Sequence, residues 1–223
     1  MSAELSFRDV SYPSFFEGFS CDIMAGSSTL LVTARDVESS LLTRLITGLS
    51  YPSQGAVLVN SRVVAKQAPD QLPLLRQRIG IVPSNGGLVS NLKVWENITL
   101  PLLYHCGGVT IEEEQTALSY LADLGYSGNV MAMPAHLSRH ERQIIALVRA
   151  WLTCSDMVVY CNCFEGAPLP AYKLFSRLSA EFHASRPDQI SLYLASSVDV
   201  AAELTVDTVI HVHEPAETVS RNA

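Results

Sequence analysis

The sequence predicts an α/β fold, with a mostly parallel sheet carrying helices on both faces and an antiparallel β-subdomain at the start. Three observations carry this. Short apolar, β-branched and aromatic runs recur at residues 29–32, 157–160 and 191–195, as strands buried on both faces do. Helical periodicity lies between them, most clearly at 137–152, where Ile144, Ile145, Leu147, Val148, Trp151 and Leu152 form a wide apolar face. The first 26 residues instead alternate apolar and polar side chains, the pattern of half-exposed strands.

Composition narrows the function classes. The 223 residues suit one large domain, or one domain with an inserted subdomain. With 48% hydrophobic and 17% charged residues, a sizeable core is expected. A net charge of −7 without a basic stripe argues against nucleic acid as a partner. No apolar run reaches bilayer-spanning length and Met1-Ser2-Ala3-Glu4 does not open a signal peptide, so a cytoplasmic chain is expected. Five cysteines, an odd number, do not make a disulfide framework. Cys161-Asn162-Cys163 is too close a pair for a typical zinc half-site and has no second pair, so buried free thiols and no metal are expected.

In chain order, 5–12 and 19–26 read as two edge strands joined by a short loop, 13–18, in which Tyr12 or Phe15 offers a ring for stacking or, more simply, for plugging the core. Residues 29–32 read as a buried strand and 39–49 as a helix with Leu41, Leu42, Leu45, Ile46 and Leu49 on one side. A turn, a strand, a tight turn and a short strand follow at 51–64. The stretch 111–125 is a helix with an acidic first turn and Gly125 at its end. The helix at 137–152 carries Ser138 as N-cap with Glu141 three residues on, the spacing of a capping box, and leads into the strand 157–160.

That last helix and strand resemble the signature helix and following strand of ATP-binding-cassette (ABC) ATPases. The residues that carry the likeness are Leu137-Ser138, Arg142-Gln143, Ala146-Leu147 and Arg149-Ala150. It extends along the chain. Residues 51–64 match the family's P-x-x-G-x-[IV] segment, 75–84 its strand before the glutamine loop, 88–103 its G-x-L…N-[VI]-x-x-P-L stretch, 198–204 its late helix and 208–214 its last strand. In detail, 88–103 and Met133-Pro134-x-x-Leu137-Ser138 are most similar to Mla-type lipid-transport ATPases. The resemblance implies a helical subdomain at about 88–150, a β-subdomain and nucleotide-fold core at about 1–87 and 151–215, and a tail at 216–223, all in one domain. It also implies that Leu88, Val94, Trp95, Asn97 and Pro101 line a groove for a membrane permease.

The positions that would handle Mg-ATP depart from the family. Thr33-Ala34-Arg35-Asp36-Val37-Glu38 stands where a P-loop would, without a glycine to present N–H groups to phosphate and with Glu38 in place of the lysine. Ser39, followed by Ser40, keeps the hydroxyl that would face Mg²⁺, and Arg35 is a cation placed to partner Asp36 or Glu38. Ser84 replaces the glutamine. Arg139 and His140 follow Ser138 where two glycines would let backbone approach phosphate. Cys161 and Asn162 replace the Mg²⁺ aspartate and the general base, Asn162 being unable to accept a proton. Ser197 replaces the switch histidine. His211 and His213, two apart in the last strand, are too few for a metal site and read as a surface pair.

These losses fall on residues that share one task. The expected function is therefore a catalytically degenerate ABC ATPase-like subunit with no cofactor. It would play a structural or regulatory part in a transport complex, with lipid as the candidate cargo. It would sit peripherally at the inner face of the cell membrane, docked on a permease, as a homodimer or paired with an active ABC ATPase. Two alternatives stand beside it: a divergent but active ATP-hydrolysing subunit using ATP and Mg²⁺, and a ligand-binding protein built on the same fold.

Overall fold

The computed structural model describes residues 4–153, 155–163, 165–196, 204–213 and the backbone of 219–220. The chain runs β1 (Leu5–Tyr12), β2 (Phe16–Ile23), β3 (Ser28–Val32), α1 (Asp36–Ile46), β4 (Gln54–Val59), β5 (Arg62–Val63), α2 (Gln71–Gln77), β6 (Ile79–Val82), α3 (Val94–Cys106), α4 (Ile111–Asp123), α5 (Arg139–Leu152), β7 (Met157–Cys161), α6 (Leu169–Ala184), β8 (Ile190–Ala195), β9 (Thr208–His211) and β10 (Val219–Ser220).

Two sheets organise it. A four-stranded antiparallel sheet has the order β2-β1-β4-β5, and a six-stranded sheet the order β10-β9-β3-β8-β7-β6. In the larger sheet β3 pairs in parallel with β8 and β9, and β7 with β6 and β8. The α/β expectation holds. The inner strands bury both faces: in β3, Leu30 and Val32 join one core while Leu31 joins the other, following the period of two along a strand. One core lies under α3, α4, α5 and α6, the second between the sheet, α1 and the antiparallel sheet.

Several boundaries differ from the sequence reading. β1 is not an edge strand; it lies between β2 and β4, because the distant 54–59 segment supplies a second partner that local patterning does not reveal. β2 begins at Phe16, so the β1–β2 turn is three residues long. α1 begins at Asp36 rather than residue 39, since Asp36 and Glu38 favour the positive end of a helix. α2 and α6 are additional helices. β9 ends at His211, and Val219–Ser220, expected in a tail, pairs antiparallel with β9. The helix expected at 198–204 lies outside the described residues apart from Leu204, and Ser197 lies outside them altogether. Among the described residues, no helix is long and apolar enough to cross a membrane.

Candidate functional site: the strand ends and the start of helix α5

In open α/β sheets the ligand crevice lies beyond the carboxyl ends of the parallel strands. In this chain that rim is made by Thr33–Ala34–Arg35 after β3, the first turn of α1, Cys161–Asn162–Cys163 at the end of β7, Ser196 after β8 and Val212–His213 after β9.

Glu38 dominates the rim. Its side chain is 1% exposed. One carboxylate oxygen accepts the N–H of Ala34 at 2.9 Å and lies 2.8 Å from Nε2 of His213. The other accepts from Nε of Arg35 at 3.0 Å, with a second guanidinium nitrogen at 2.9 Å. Burial pushes the carboxyl upward, but the bonds from His213, Ala34 and Arg35 outweigh it and hold Glu38 below the ordinary carboxylate range. The expected pairing of Arg35 is thus with Glu38. Arg35 also donates to the carbonyl of Ser14 and lies over the ring of Phe15, 5.0 Å from its centroid, while Tyr12 meets that ring edge-on at 5.7 Å. The face of Phe15 that would stack on a base is covered by the guanidinium. His213 is exposed, as expected of a residue at the surface, and also reaches Glu38.

Ser39 is fully buried, with its hydroxyl 2.9 Å from that of Thr33, itself 3.3 Å from the carbonyl of Ala195. It is a helix residue turned inward. Ser40 is exposed. Burial pushes the Cys161 thiol up, against contacts with Thr43 and Ser40, so it is a packed thiol and not a thiolate. Cys163 is buried, its Sγ 3.1 Å from the carbonyl of Val82. The four described cysteines are all free. Asn162 has φ of 46°, a left-handed conformation that asparagine tolerates, and its N–H bonds the carbonyl of Leu194 at 2.8 Å. It is 2% exposed, and its Oδ1 is buried without a hydrogen-bond partner among the described residues.

Two further carboxylates face the rim: Asp36, expected as a partner of Arg35, and Glu165, which sequence reading did not single out. Asp36 accepts from the hydroxyl of Ser196 at 2.6 Å, and Glu165 accepts the N–H of Ser196 at 3.3 Å. Burial, then the charge of Asp36, raises Glu165, with the Ser196 N–H and, more weakly, Arg139 opposing. Asp36 and Glu165 therefore meet through Ser196 at the rim, and Arg35 is already committed to the buried Glu38. The one local signal was the acidic first turn of α1; nothing in the sequence links Ser196 to Asp36.

The second part of the expected site is the start of α5. Ser138 caps it: its N–H and hydroxyl donate to Glu141 Oε2 at 2.8 and 2.7 Å, and its oxygen accepts the Glu141 N–H at 3.2 Å. Those bonds from Ser138 hold Glu141 below its ordinary range. Ser138→Ala should cost about 1 kcal/mol of stability. Because the folded carboxyl is depressed, the Glu141 contribution is complete above the unfolded value of about 4.3 and is lost as pH falls through the lower folded value. Denaturant unfolding of both proteins at neutral pH and near pH 3 checks this: the difference between them should shrink at the lower pH. Arg139 is exposed and His140 half-buried, with burial pulling His140 below its ordinary value, so bulky side chains stand where glycines were absent from the sequence.

The arginine and glutamine that carried the family likeness have a positioning role. Gln143 donates to the carbonyl of Ser84 at 2.8 Å, and Arg149 donates to the carbonyls of Gly86 and Gly87, both at 3.1 Å. Gly86 has φ of 80°, and a Cβ on it would lie 2.7 Å from the carbonyl oxygen of Arg142. Helix α5 thus holds the 84–87 loop by three side-chain bonds and a close backbone approach that only glycine permits.

Of the residues expected to line a docking groove, Val94 and Asn97 are fully buried and shape that surface from beneath. Asn97 accepts the N–H of Val89 at 2.7 Å and faces the carbonyls of Val89, Leu92 and Lys93 at 3.0–3.1 Å, fixing the loop before α3. Leu88, Trp95 and Pro101 are half-buried, and Val89, Leu103 and Tyr104 are the exposed apolar neighbours.

Comparison with known proteins agrees with this architecture. The methionine import ATP-binding protein MetN 2 of Pseudomonas aeruginosa is 31% identical over 141 residues, covering 63% of this chain and 42% of that protein. The intermembrane phospholipid transport system ATP-binding protein MlaF of Escherichia coli is 24% identical over 182 residues, covering 80% and 68%. The chain thus matches less than half the length of the methionine-import relative. The solved structure of cbiO1 from Clostridium perfringens, described as part of the ABC transporter complex cbiONQ, superposes with a TM-score of 0.77 over 96% of this chain and 86% of that one at 16% identity, which establishes the fold. The ABC transporter family model matches residues 19–161, more than half of the sequence, and with the two-sheet fold and the capped signature helix already described, this chain belongs to the ABC transporter family.

Proposed function

We propose that this chain is an ATPase-like subunit of an ABC transport complex that contributes its architecture and its docking surface but does not turn over ATP. The observation that carries the reading is the buried Glu38 carboxylate, fixed on Ala34, Arg35 and His213 where a phosphate-binding lysine would be expected. A carboxylate in a water-poor pocket repels a triphosphate strongly, since charge interactions grow as the local dielectric falls. Asp36 and Glu165 add to that field, and Asn162 is no general base. The buried hydroxyl of Ser39 is engaged by Thr33 and does not offer an oxygen to Mg²⁺.

In this reading the helical subdomain meets a permease through Leu88, Trp95 and Pro101 with the exposed Val89, Leu103 and Tyr104, an apolar surface that suits an amphipathic helix. The complex places the chain at the cytoplasmic face of the membrane, as a homodimer or beside an active ATPase. In such a pair Arg139 and His140 face the partner's nucleotide. The cargo follows the lipid direction that the likeness to MlaF supports.

Isothermal titration with ATP, with and without Mg²⁺, is the test. No heat of binding at micromolar nucleotide, and no phosphate release, are expected. Micromolar binding with turnover would establish the divergent active ATPase instead. Purification with a membrane permease supports the subunit role over a stand-alone ligand-binding protein.

A further inference from the structure

We propose that Glu38 is an autoinhibitory internal anion: its carboxylate closes the loop after β3 by occupying, from within the chain, the donors that a bound phosphate would use. It deepens the reading above, on which its consequence for nucleotide rests.

Four segments converge on it. The loop after β3 gives the N–H of Ala34 and the guanidinium of Arg35. Helix α1 carries Glu38 itself in its first turn. The segment after β9 gives His213, 175 residues further along the chain, at 2.8 Å. The β1–β2 turn is tied in through Arg35, which bonds the carbonyl of Ser14 and covers Phe15. The carboxylate is almost wholly hidden from water, and every named neighbour within hydrogen-bond distance is a donor or a cation. That is the environment an anion-binding site presents, and its occupant is already covalently attached. An attached anion has no translational freedom to lose, so an external phosphate must displace it while bringing more negative charge toward Asp36 and Glu165.

The consequence is a site that becomes available when Glu38 is removed. Wild-type protein, Glu38→Ala and Glu38→Gln are compared by thermal melting and by titration with inorganic phosphate and with formate, a free carboxylate of the right chemistry. Glu38→Ala should melt lower by about 5–10 °C, because the Ala34 N–H, Arg35 and His213 all lose the buried anion they share. Formate at about 0.1 M should restore part of that loss in Glu38→Ala while leaving the wild type unchanged, as expected for a ligand that binds only the vacated site. Glu38→Gln keeps the shape and one acceptor but frees the cations, so it should bind phosphate at least tenfold more tightly than the wild type, and it carries the test if Glu38→Ala does not fold. Phosphate affinities within twofold across the three proteins, with no formate rescue, overturn the proposal while leaving the reading of an inactive subunit intact. ATP binding by the wild type overturns that reading separately, and the Glu38→Gln comparison is still scored on its own.

Discussion

Glu38→Lys, the substitution that puts back the lysine typical of this loop, is expected to destabilise the protein by about 3–5 kcal/mol and to confer no ATP hydrolysis. At present the carboxylate has the Ala34 N–H, the Arg35 guanidinium and His213 around it. An ammonium in the same place would face the Ala34 N–H and the Arg35 guanidinium, neither of which can accept a bond from it. Arg35 would lose its counter-charge, and the N–H of the exposed Ala34 would lose its acceptor, a cost of about 1 kcal/mol by itself. Lysine is long and flexible enough to escape toward solvent, but the donors it leaves behind stay unpaired. Equilibrium unfolding in urea measures the loss, and phosphate release reports turnover. A Lys variant as stable as the wild type would mean that the network is incidental. Acidification should weaken the same network: Glu38 is depressed in the folded state, so its contribution is complete above the unfolded carboxylate value and is lost as pH falls through the folded one.

Trp151→Ala should cost about 3–5 kcal/mol, lowering the melting temperature of a protein of this size by about 10 °C. Trp151 is 2% exposed at the end of α5. Its ring stacks on Phe182 with centroids 4.7 Å apart and meets Tyr120 edge-on at 5.3 Å. Its indole N–H donates to the hydroxyl of Tyr160 at 3.0 Å, Tyr160 stacks on Tyr193 at 4.6 Å, and Tyr193 donates to Ser179 at 3.0 Å. Alanine removes the stack, leaves a cavity between α4, α5 and α6, and deprives the buried Tyr160 hydroxyl of its donor. Trp151→Phe keeps most of the ring contact and should cost about 1–1.5 kcal/mol, the worth of one buried hydrogen bond. A double cycle with Tyr160→Phe isolates that bond. If Trp151→Ala unfolds within 1 kcal/mol of the wild type, the α5–α6 contact is not what holds the helical layer on the sheet.

Much of the fold was legible from pattern alone. Runs such as 157–160 are apolar throughout because an inner parallel strand is buried on both faces, and α5 announces itself by its stripe and by Ser138 with Glu141. Edges and additional helices were less legible. Whether β1 lies at an edge depends on β4, whose residues pair with it from Ser11↔Gln54 to Leu5↔Val59, and no local pattern records that. α6 escaped because its apolar residues, Tyr172, Phe175 and Phe182, are spaced among small and polar ones that are themselves buried, such as Ser176 and Ser179.

The candidate site divides in the same way. The sequence by itself determined which chemical groups stand at the positions that would handle nucleotide: a carboxylate at 38, an amide at 162, Arg139 and His140 after Ser138. Those identities are one-dimensional facts, and their charge and donor character follow from residue type. Only the tertiary structure decided what they do. It turned Glu38 inward to meet His213 from the far end of the chain, set Asp36 beside Ser196 and Glu165, and put Gln143 and Arg149 to work holding the 84–87 loop. Hydrogen bonds and charge pairs act over a few ångströms, and the separations of 31 to 175 residues that they close here are set by the packing of the sheet and its helices.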